Sequence, residues 1–161
     1  MQHGVNDFSV SIHGNVSLQT EEFQKAFAAK LASSEGKAQF HGVYTPESLP
    51  KLMQDVDWVV VPSIWWENSP LVIAEAMRHK RPVICSDIGG MAEKIQHGVN
   101  GLHFAVRDSF SLAEVMKKAI ADTSIWDKLV KGINSPSTIQ ECVDEYTVLY
   151  QKILVDKKVG K

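Results

Sequence analysis

The apolar positions along the chain change their period several times, and each period predicts a different kind of element. Phe8, Val10 and Ile12 alternate with polar residues, which is the pattern of a half-buried strand. From Thr20 the apolar residues recur every three or four positions, which predicts a helix with one apolar face. The alternation of strand-like and helix-like segments continues to Asp108. Further strands are predicted at 38–41, 58–61, 82–85 and 102–104.

The strand predicted at 58–61 differs from the first one because every position in it is apolar. A strand without alternation is covered on both faces, which is typical of a parallel sheet between two layers of helices. After Asp108 only helical patterns follow, and Ser111 with Glu114 predicts a capping box for the first of these helices. The order of elements predicts a doubly wound α/β fold, with a mainly parallel sheet and helices on both faces.

The composition narrows the class of protein without indicating a reaction. The 161 residues suffice for one domain, and 17 basic against 19 acidic residues give a net charge of −2. Because the basic and acidic residues are nearly equal in number, a nucleic-acid partner, which would require a basic face, is not expected. No apolar run approaches the roughly 18 residues of a membrane helix, and residues 1–20 lack the pattern of a secretory signal. We therefore expect a cytoplasmic protein with at most peripheral contact with a membrane.

Metal and thiol chemistry find little support in the sequence. The six histidines show no metal-ligand spacing, and two isolated cysteines cannot form a zinc site, so no metal is expected. Cys85 ends a predicted buried strand without an activating partner nearby in the sequence, which predicts an inert thiol.

The segment 62–71 is the most informative loop, because it leaves the fully apolar strand and enters a helix. Ser69 is the predicted N-cap of that helix, with Pro70 at its first position. The backbone N–H groups around Leu71 and Val72 then have no intrahelical partners and carry partial positive charge. Such a turn is suited to hold a phosphate or a diphosphate.

Two carboxylates frame this turn. Glu67 lies in the loop, and Glu75 follows eight residues later inside the apolar run 71–77. An ionised carboxylate in such a run needs hydrogen-bond partners. A pair of ribose hydroxyls would supply them, as would the N–H groups of a neighbouring loop or a basic side chain. The residues alone leave these interpretations open.

Two neighbouring pairs of residues also allow two interpretations each. Trp65 and Trp66 could form a platform for a sugar ring, but a core anchor is the favoured interpretation for at least one of them. Gly89 and Gly90 could close over a bound ligand or form only a tight turn between a strand and a helix.

A longer pattern connects these features over residues 57–104, with weaker agreement upstream at 40–44. This spacing resembles the retaining GT-B glycosyltransferases of family GT4, in particular their C-terminal domain, which binds the nucleotide-sugar donor. The residues that carry the resemblance are Pro62, Ser63, Glu67, Pro70, Leu71, Val72, Glu75, Ala76, Met77, Pro82, Val83, Ile84, Ser86, Gly89, Gly90, Glu93, Ile95, Gly98, Asn100 and Gly101.

The resemblance implies a role for each site residue. Glu67 matches the glutamate that faces the donor sugar near the reacting carbon and is the implied catalytic residue. Glu75 matches the glutamate that contacts the ribose. The other implied donor-binding residues are Asn68, Ser69, Pro70, Leu71 and Val72 at the start of the helix, Tyr44 and Thr45 beside the nucleobase, and Gly14 at the end of the first strand.

The resemblance also implies what the chain lacks. The family's C-terminal domain usually opens with another strand and helix, whose Arg and Lys neutralise the diphosphate, and the acceptor-binding domain precedes it. We therefore expect residues 1–155 to form a donor domain without its first βα unit, followed by a charged, frayed tail at 156–161. A smaller departure is Lys80, where the family often has glycine. A left-handed cap kept there costs roughly 1 kcal/mol.

The expected function is transfer of a glycosyl unit from a nucleotide-diphosphate sugar to an acceptor hydroxyl with retained configuration, without a metal or other cofactor. The chain alone is expected to be inactive. Its expected partners are the donor, an acceptor-binding domain or second chain, and further copies of itself. The alternative is a non-catalytic nucleotide-binding or scaffold module derived from the same fold.

Overall fold

The computed structural model describes the backbone of residues 8–159 and the side chains of residues 8–155. Strands and helices alternate up to Phe104, and only helices follow. In chain order the elements are β1 (Val10–His13), α1 (Glu21–Ala32), β2 (Ala38–Gly42), α2 (Leu49–Gln54), β3 (Val59–Val61), α3 (Leu71–Arg78), β4 (Val83–Ser86), α4 (Gly89–Lys94), β5 (Gly101–Phe104), α5 (Ser109–Ala121), α6 (Thr123–Gly132) and α7 (Ile139–Val159).

All strand pairs are parallel, and they form two groups. β1 pairs with β2, while β3, β4 and β5 pair in that order. Within the described part of the chain, β1 and β3 do not pair with each other, so the ladder of hydrogen bonds is interrupted between the two groups. The predicted fold class is confirmed: parallel strands are flanked by helices on both faces.

The three-stranded sheet is the centre of the molecule, because both of its faces are covered. Every residue of β4 is buried. Val83 and Cys85 pack with Ile73 of α3 on one face, and Ile84 packs with Leu129 of α6 on the other. The side chains of β3 alternate between the same two clusters. This explains the unbroken apolar pattern of residues 58–61, since each face of that partly buried strand packs against an apolar cluster.

Two predicted helix starts are wrong. α3 begins at Leu71 after an extended Pro70, so Ser69 is not its N-cap and no side chain caps it. α5 is capped by Asp108, whose carboxylate accepts from Ser111 N at 2.9 Å, so the predicted capping box does not form. An acidic cap also complements the positive end of the helix. The Ser111 hydroxyl instead accepts from Ala105 N at 3.0 Å.

The last helix, α7, carries apolar side chains that the described part of the chain leaves exposed. Its backbone is helical to Val159, within the predicted tail, while residues 160 and 161 lie outside the described part. The exposed apolar residues of α7 are Ile139, Val143, Tyr146, Val148, Leu149, Tyr150, Ile153, Leu154 and Val155.

None of the helices in the described part is both long and apolar enough to cross a membrane.

Candidate functional site

The predicted site residues come together at the carboxyl ends of the strands, where ligands bind in sheets of this kind. Gly14 follows β1, and its N–H donates to the carbonyl of Gly42, at the end of β2, over 2.9 Å. Tyr44 lies two residues further along, and Glu67 lies in the loop after β3. The loops after three strands therefore contribute to one edge of the molecule.

Contacts on both sides of Glu67 fix its position. The Ser63 hydroxyl donates to Glu67 Oε1 at 3.2 Å, and Glu67 N donates to Trp65 O at 2.8 Å. The carbonyl of Glu67 accepts from Gly90 N at 2.6 Å. The half-buried carboxylate is therefore held by Ser63 of its own loop, and the backbone of Glu67 is held by the start of α4.

Gly89 and Gly90 are the first two residues of α4 rather than a turn before it. A Cβ on Gly90 would lie 2.5 Å from Glu67 O and still closer to Asn68 O. Gly89 has a φ of 55°, a conformation that favours glycine. Both glycines therefore allow α4 to approach the loop that carries Glu67.

Glu75 lies one turn into α3 and is half-buried. Its partner is none of those considered from the sequence: the Tyr44 hydroxyl donates to Glu75 Oε2 at 2.7 Å. Burial, and then the hydrogen bond and charge of Glu75, raises the pKa of Tyr44 to about 12. The phenol is therefore protonated at neutral pH and acts as the donor.

A stacked pair of histidines, His13 and His41, lies beside Tyr44, and His13 contacts its ring. The ring of His13 stacks on that of His41, with centroids 5.2 Å apart, and meets Tyr44 edge-on at 6.0 Å. Burial, and to a smaller extent His41, lowers the pKa of His13. These rings line an open cavity of about 300 Å³ together with Val43, Ser48 and Lys51. The cavity adjoins the Tyr44–Glu75 pair.

The first turn of α3 has the open N–H groups that the sequence predicts, although its cap differs. Pro70 O accepts from Ile73 N at 3.1 Å, and the N–H groups of Leu71 and Val72 have no carbonyl in their own helix to bond. Both of these residues are exposed, as are Asn68 and Ser69. This turn is open to a ligand.

Thr45 is not brought to the carboxylates by any described contact. Its N–H donates to Ser48 Oγ at 3.0 Å, and its own hydroxyl accepts from Ser48 N at 3.4 Å. Thr45 therefore shapes the turn before α2. Its predicted place beside a nucleobase stays a prediction.

Two further expectations have clear outcomes. Trp65 is 74% exposed and Trp66 72%, so the core-anchor interpretation is wrong for both. The backbone of Trp66 and Glu67 lies against Gly89, at the start of α4. Cys85 is buried as expected, and burial raises the pKa of its thiol to about 12. Its inertness follows, because thiolates are the reactive form.

Sequence reasoning missed the two basic residues that anchor the end of α3. Lys80 Nζ donates to Ile133 O at 2.6 Å, at the end of α6, and Arg81 Nε donates to Met53 O at 2.6 Å, in α2. No spacing signal could have indicated these partners, which lie 53 and 28 residues away.

In residues 8–155, no cluster of three or more His, Cys, Asp or Glu could hold a metal.

A parallel sheet with a helix N-terminus and two carboxylates at its carboxyl edge defines a class, the Rossmann-like nucleotide-binding proteins. Comparison with known families gives a narrower assignment. The sequence model described as "Glycosyl transferases group 1" matches residues 2–122. The chain belongs to this family.

Curated relatives agree with the family and are much longer than this chain. An uncharacterised glycosyltransferase of Methanocaldococcus jannaschii, MJ1607, is 33% identical over 96 residues, which are 60% of this chain and 24% of the relative. Sucrose synthase 1 of Hordeum vulgare is 34% identical over 99 residues, which are 59% of this chain and 12% of the relative. The match thus spans about a quarter or less of these relatives.

Solved structures extend the likeness to the fold. Anabaena Alr3699/HepE in complex with UDP superposes with a TM-score of 0.72 at 26% identity, covering 78% of this chain and 35% of that protein. A glycosyltransferase from Rickettsia africae superposes with a TM-score of 0.76 at 24% identity, covering 92% and 40%. The chain has the GT-B type of Rossmann-like domain.

Proposed function

We propose that this chain is the donor-binding part of a retaining glycosyltransferase that uses a nucleotide-diphosphate sugar. The observation that carries the proposal is the meeting of Glu67, Glu75 and the open first turn of α3 at one edge of the sheet. The N–H groups of Leu71 and Val72 would bind the diphosphate. Glu75 would bind the ribose, and Glu67 would face the sugar. The Anabaena neighbour has been crystallised with UDP and with UDP-glucose, which supports this kind of ligand.

In the proposed reaction the acceptor oxygen forms a bond to the anomeric carbon of the donor. The bond from that carbon to the diphosphate oxygen breaks, and the acceptor proton passes to the departing diphosphate. Charge develops on that leaving group, so electrostatic stabilisation by the α3 N–H groups is the main task of the site. Retention of configuration requires attack from the face that the diphosphate leaves.

We further propose that the chain lacks the first βα unit of its domain. In a sheet of order 3-2-1-4-5-6, the first strand lies between the second and the fourth. If β1 is the second strand, β3 is the fourth, and the interruption between them falls where the first strand belongs. The acceptor-binding domain, supplied by a longer chain or a second polypeptide, would complete the enzyme.

The scaffold hypothesis is supported by one observation, the exposed apolar face of α7. Ile139, Val143, Tyr146, Tyr150 and Ile153 follow a spacing of four and three residues, as in a coiled-coil seam. Such a face could join copies of this chain with no donor involved. Nucleotide binding separates this hypothesis from the donor-site proposal.

Calorimetric titration of the full chain with UDP and UDP-glucose tests the donor site. We expect binding in both EDTA and Mg²⁺ buffers, since no metal is expected to be required. Glu75→Ala should weaken UDP binding by roughly tenfold or more, because charge-assisted hydrogen bonds are lost. Glu145→Ala, on exposed α7, is the matched control and should bind like the wild type. Absence of binding at millimolar UDP would reject the donor site.

A further inference from the structure

We infer that Tyr44 is a positioning residue, which fixes the carboxylate of Glu75 so that its other oxygen meets the ribose hydroxyls of the donor. The inference deepens the proposed function and rests on it. Its structural basis is the 2.7 Å hydrogen bond from the Tyr44 hydroxyl to Glu75 Oε2.

The hydrogen bond divides the two oxygens of Glu75 between protein and ligand. Oε2 accepts from Tyr44, and within the described residues no group donates to Oε1. A glutamate has three side-chain torsions, and fixing one of its oxygens removes most of that freedom before a ligand arrives. Preorganisation of this kind raises affinity because less entropy is lost on binding.

The surroundings of Tyr44 indicate that the phenol is itself held in place. The His13 ring packs edge-on against it, and His13 is in turn stacked on His41. The tyrosine therefore connects the carboxyl ends of β1 and β2 to α3, through its contact with His13 and its hydrogen bond to Glu75. The two residues of the pair lie on opposite sides of the interruption between β1 and β3, which the hydrogen bond spans.

The role differs from a purely structural one in its dependence on the ligand. A tyrosine that only stabilised the fold would affect all ligands equally. A tyrosine that orients Glu75 toward hydroxyls affects only ligands that carry them. The ratio of affinities for UDP and 2′,3′-dideoxy-UDP isolates this contribution, because the base and the diphosphate are unchanged.

The test is a double-mutant cycle of Tyr44 and Glu75, in which calorimetry on the full chain measures the affinity for each of the two ligands. We expect Tyr44→Phe to lower the affinity for UDP by about fivefold and to leave that for dideoxy-UDP unchanged. Glu75→Ala should remove the preference for UDP, and adding Tyr44→Phe should then change nothing further. Tyr146→Phe, the same change on exposed α7, is the control and should keep the wild-type ratio.

Three results would overturn the inference in distinguishable ways. A wild-type ratio retained in Tyr44→Phe shows that Glu75 does not need the tyrosine. A Tyr44→Phe effect that persists in Glu75→Ala shows that the tyrosine acts through another group. Failure of the wild type to prefer UDP, or to bind it, rejects the proposed donor site itself and with it this role.

A second measurement covers the case in which Tyr44→Phe does not fold. The chain has three tyrosines, so Tyr146→Phe with Tyr150→Phe leaves Tyr44 as the only one. Its ¹³Cζ chemical shift reports whether the hydroxyl donates to a carboxylate. We expect the shift to be unchanged by UDP and altered by Glu75→Ala. A UDP-bound shift equal to that of Glu75→Ala would mean that the ligand displaces the tyrosine, contrary to the inference.

Discussion

Gly90 determines the position of the candidate catalytic residue although it carries no functional group. Its N–H donates to the carbonyl of Glu67, and its missing Cβ leaves room for the backbone of Glu67 and Asn68. A side chain at this position would push back the loop that presents Glu67. The closest contacts are with backbone atoms, which cannot turn away as a flexible side chain would.

We predict that Gly90→Ala lowers the free energy of unfolding by roughly 1–3 kcal/mol, the range for overpacking. It should also weaken UDP binding, because Asn68 and the start of α3 follow the displaced loop. Gly36→Ala is the control for replacing a glycine outside the site. Gly36 has a positive φ, of 83°, which Gly90 lacks, and nothing lies within 4 Å of its Cβ position. It should cost roughly 1 kcal/mol and leave UDP affinity unchanged. Thermal unfolding and calorimetry measure both; unchanged values for Gly90→Ala would contradict the argument.

At the scale of single residues, the sequence predicted which side chains gather at the edge of the sheet but not what they touch, and their chemical roles stay predictions. Glu67 and Glu75 stand out because a carboxylate next to an apolar run needs a partner. The partner of Glu75 is 31 residues away, and no local spacing links it to Tyr44. The exposed Trp pair was misjudged for a related reason, since burial depends on which elements pack over a loop.

At the scale of elements, the apolar strands and the start of α1 after Thr20 were predictable, whereas the caps of α3 and α5 were not. Residues 58–61 and 82–85 are apolar throughout, and a strand between two layers of helices must be so. The start of a helix depends on small differences between competing caps, as at Asp108 and Ser111. Asp108 caps α5, and the Ser111 hydroxyl accepts from Ala105 N in the preceding loop.

The end of α3 shows how a contact between elements offsets a local cost. Lys80 has a φ of 55°, so the left-handed cap expected from the sequence is present without glycine. Its Nζ also donates to Ile133 O, at the end of α6. A left-handed non-glycine residue costs roughly 1 kcal/mol, and the hydrogen bond contributes a similar amount.

Two variants of Lys80 separate the cost of its left-handed backbone from the contribution of its hydrogen bond to Ile133. Lys80→Met keeps the strained backbone and loses the bond, so the free energy of unfolding should fall by about 1 kcal/mol. Lys80→Gly loses the bond and relieves the backbone, so it should change by less than about 1 kcal/mol. Lys128→Met, on α6, controls for loss of a lysine. Urea unfolding followed by circular dichroism measures all three. If the methionine variant proved as stable as the wild type, the bond to Ile133 would contribute nothing.

At the scale of the whole molecule, the parallel sheet and its two helical layers were predictable from the order of elements. The interruption between β1 and β3 could not be predicted from the apolar pattern, because pairing between distant strands leaves no local signal in the sequence. The exposed face of α7 has the same origin: its periodicity predicts an amphipathic helix, but not whether something covers it. The interruption lies where our proposal places the missing first βα unit.

We therefore predict that the chain alone binds UDP-glucose without releasing UDP from it. In our proposal the site holds the diphosphate by N–H groups, and the Arg and Lys that the family resemblance implies belong to the missing unit, so the leaving group would be poorly stabilised. Our proposal also places acceptor binding in a domain outside this chain, and orientation of the acceptor supplies a large part of the rate. A coupled assay for UDP should give the same background rate for the wild type and for Glu67→Gln. UDP release by the wild type that Glu67→Gln abolishes would show that this chain is catalytically complete.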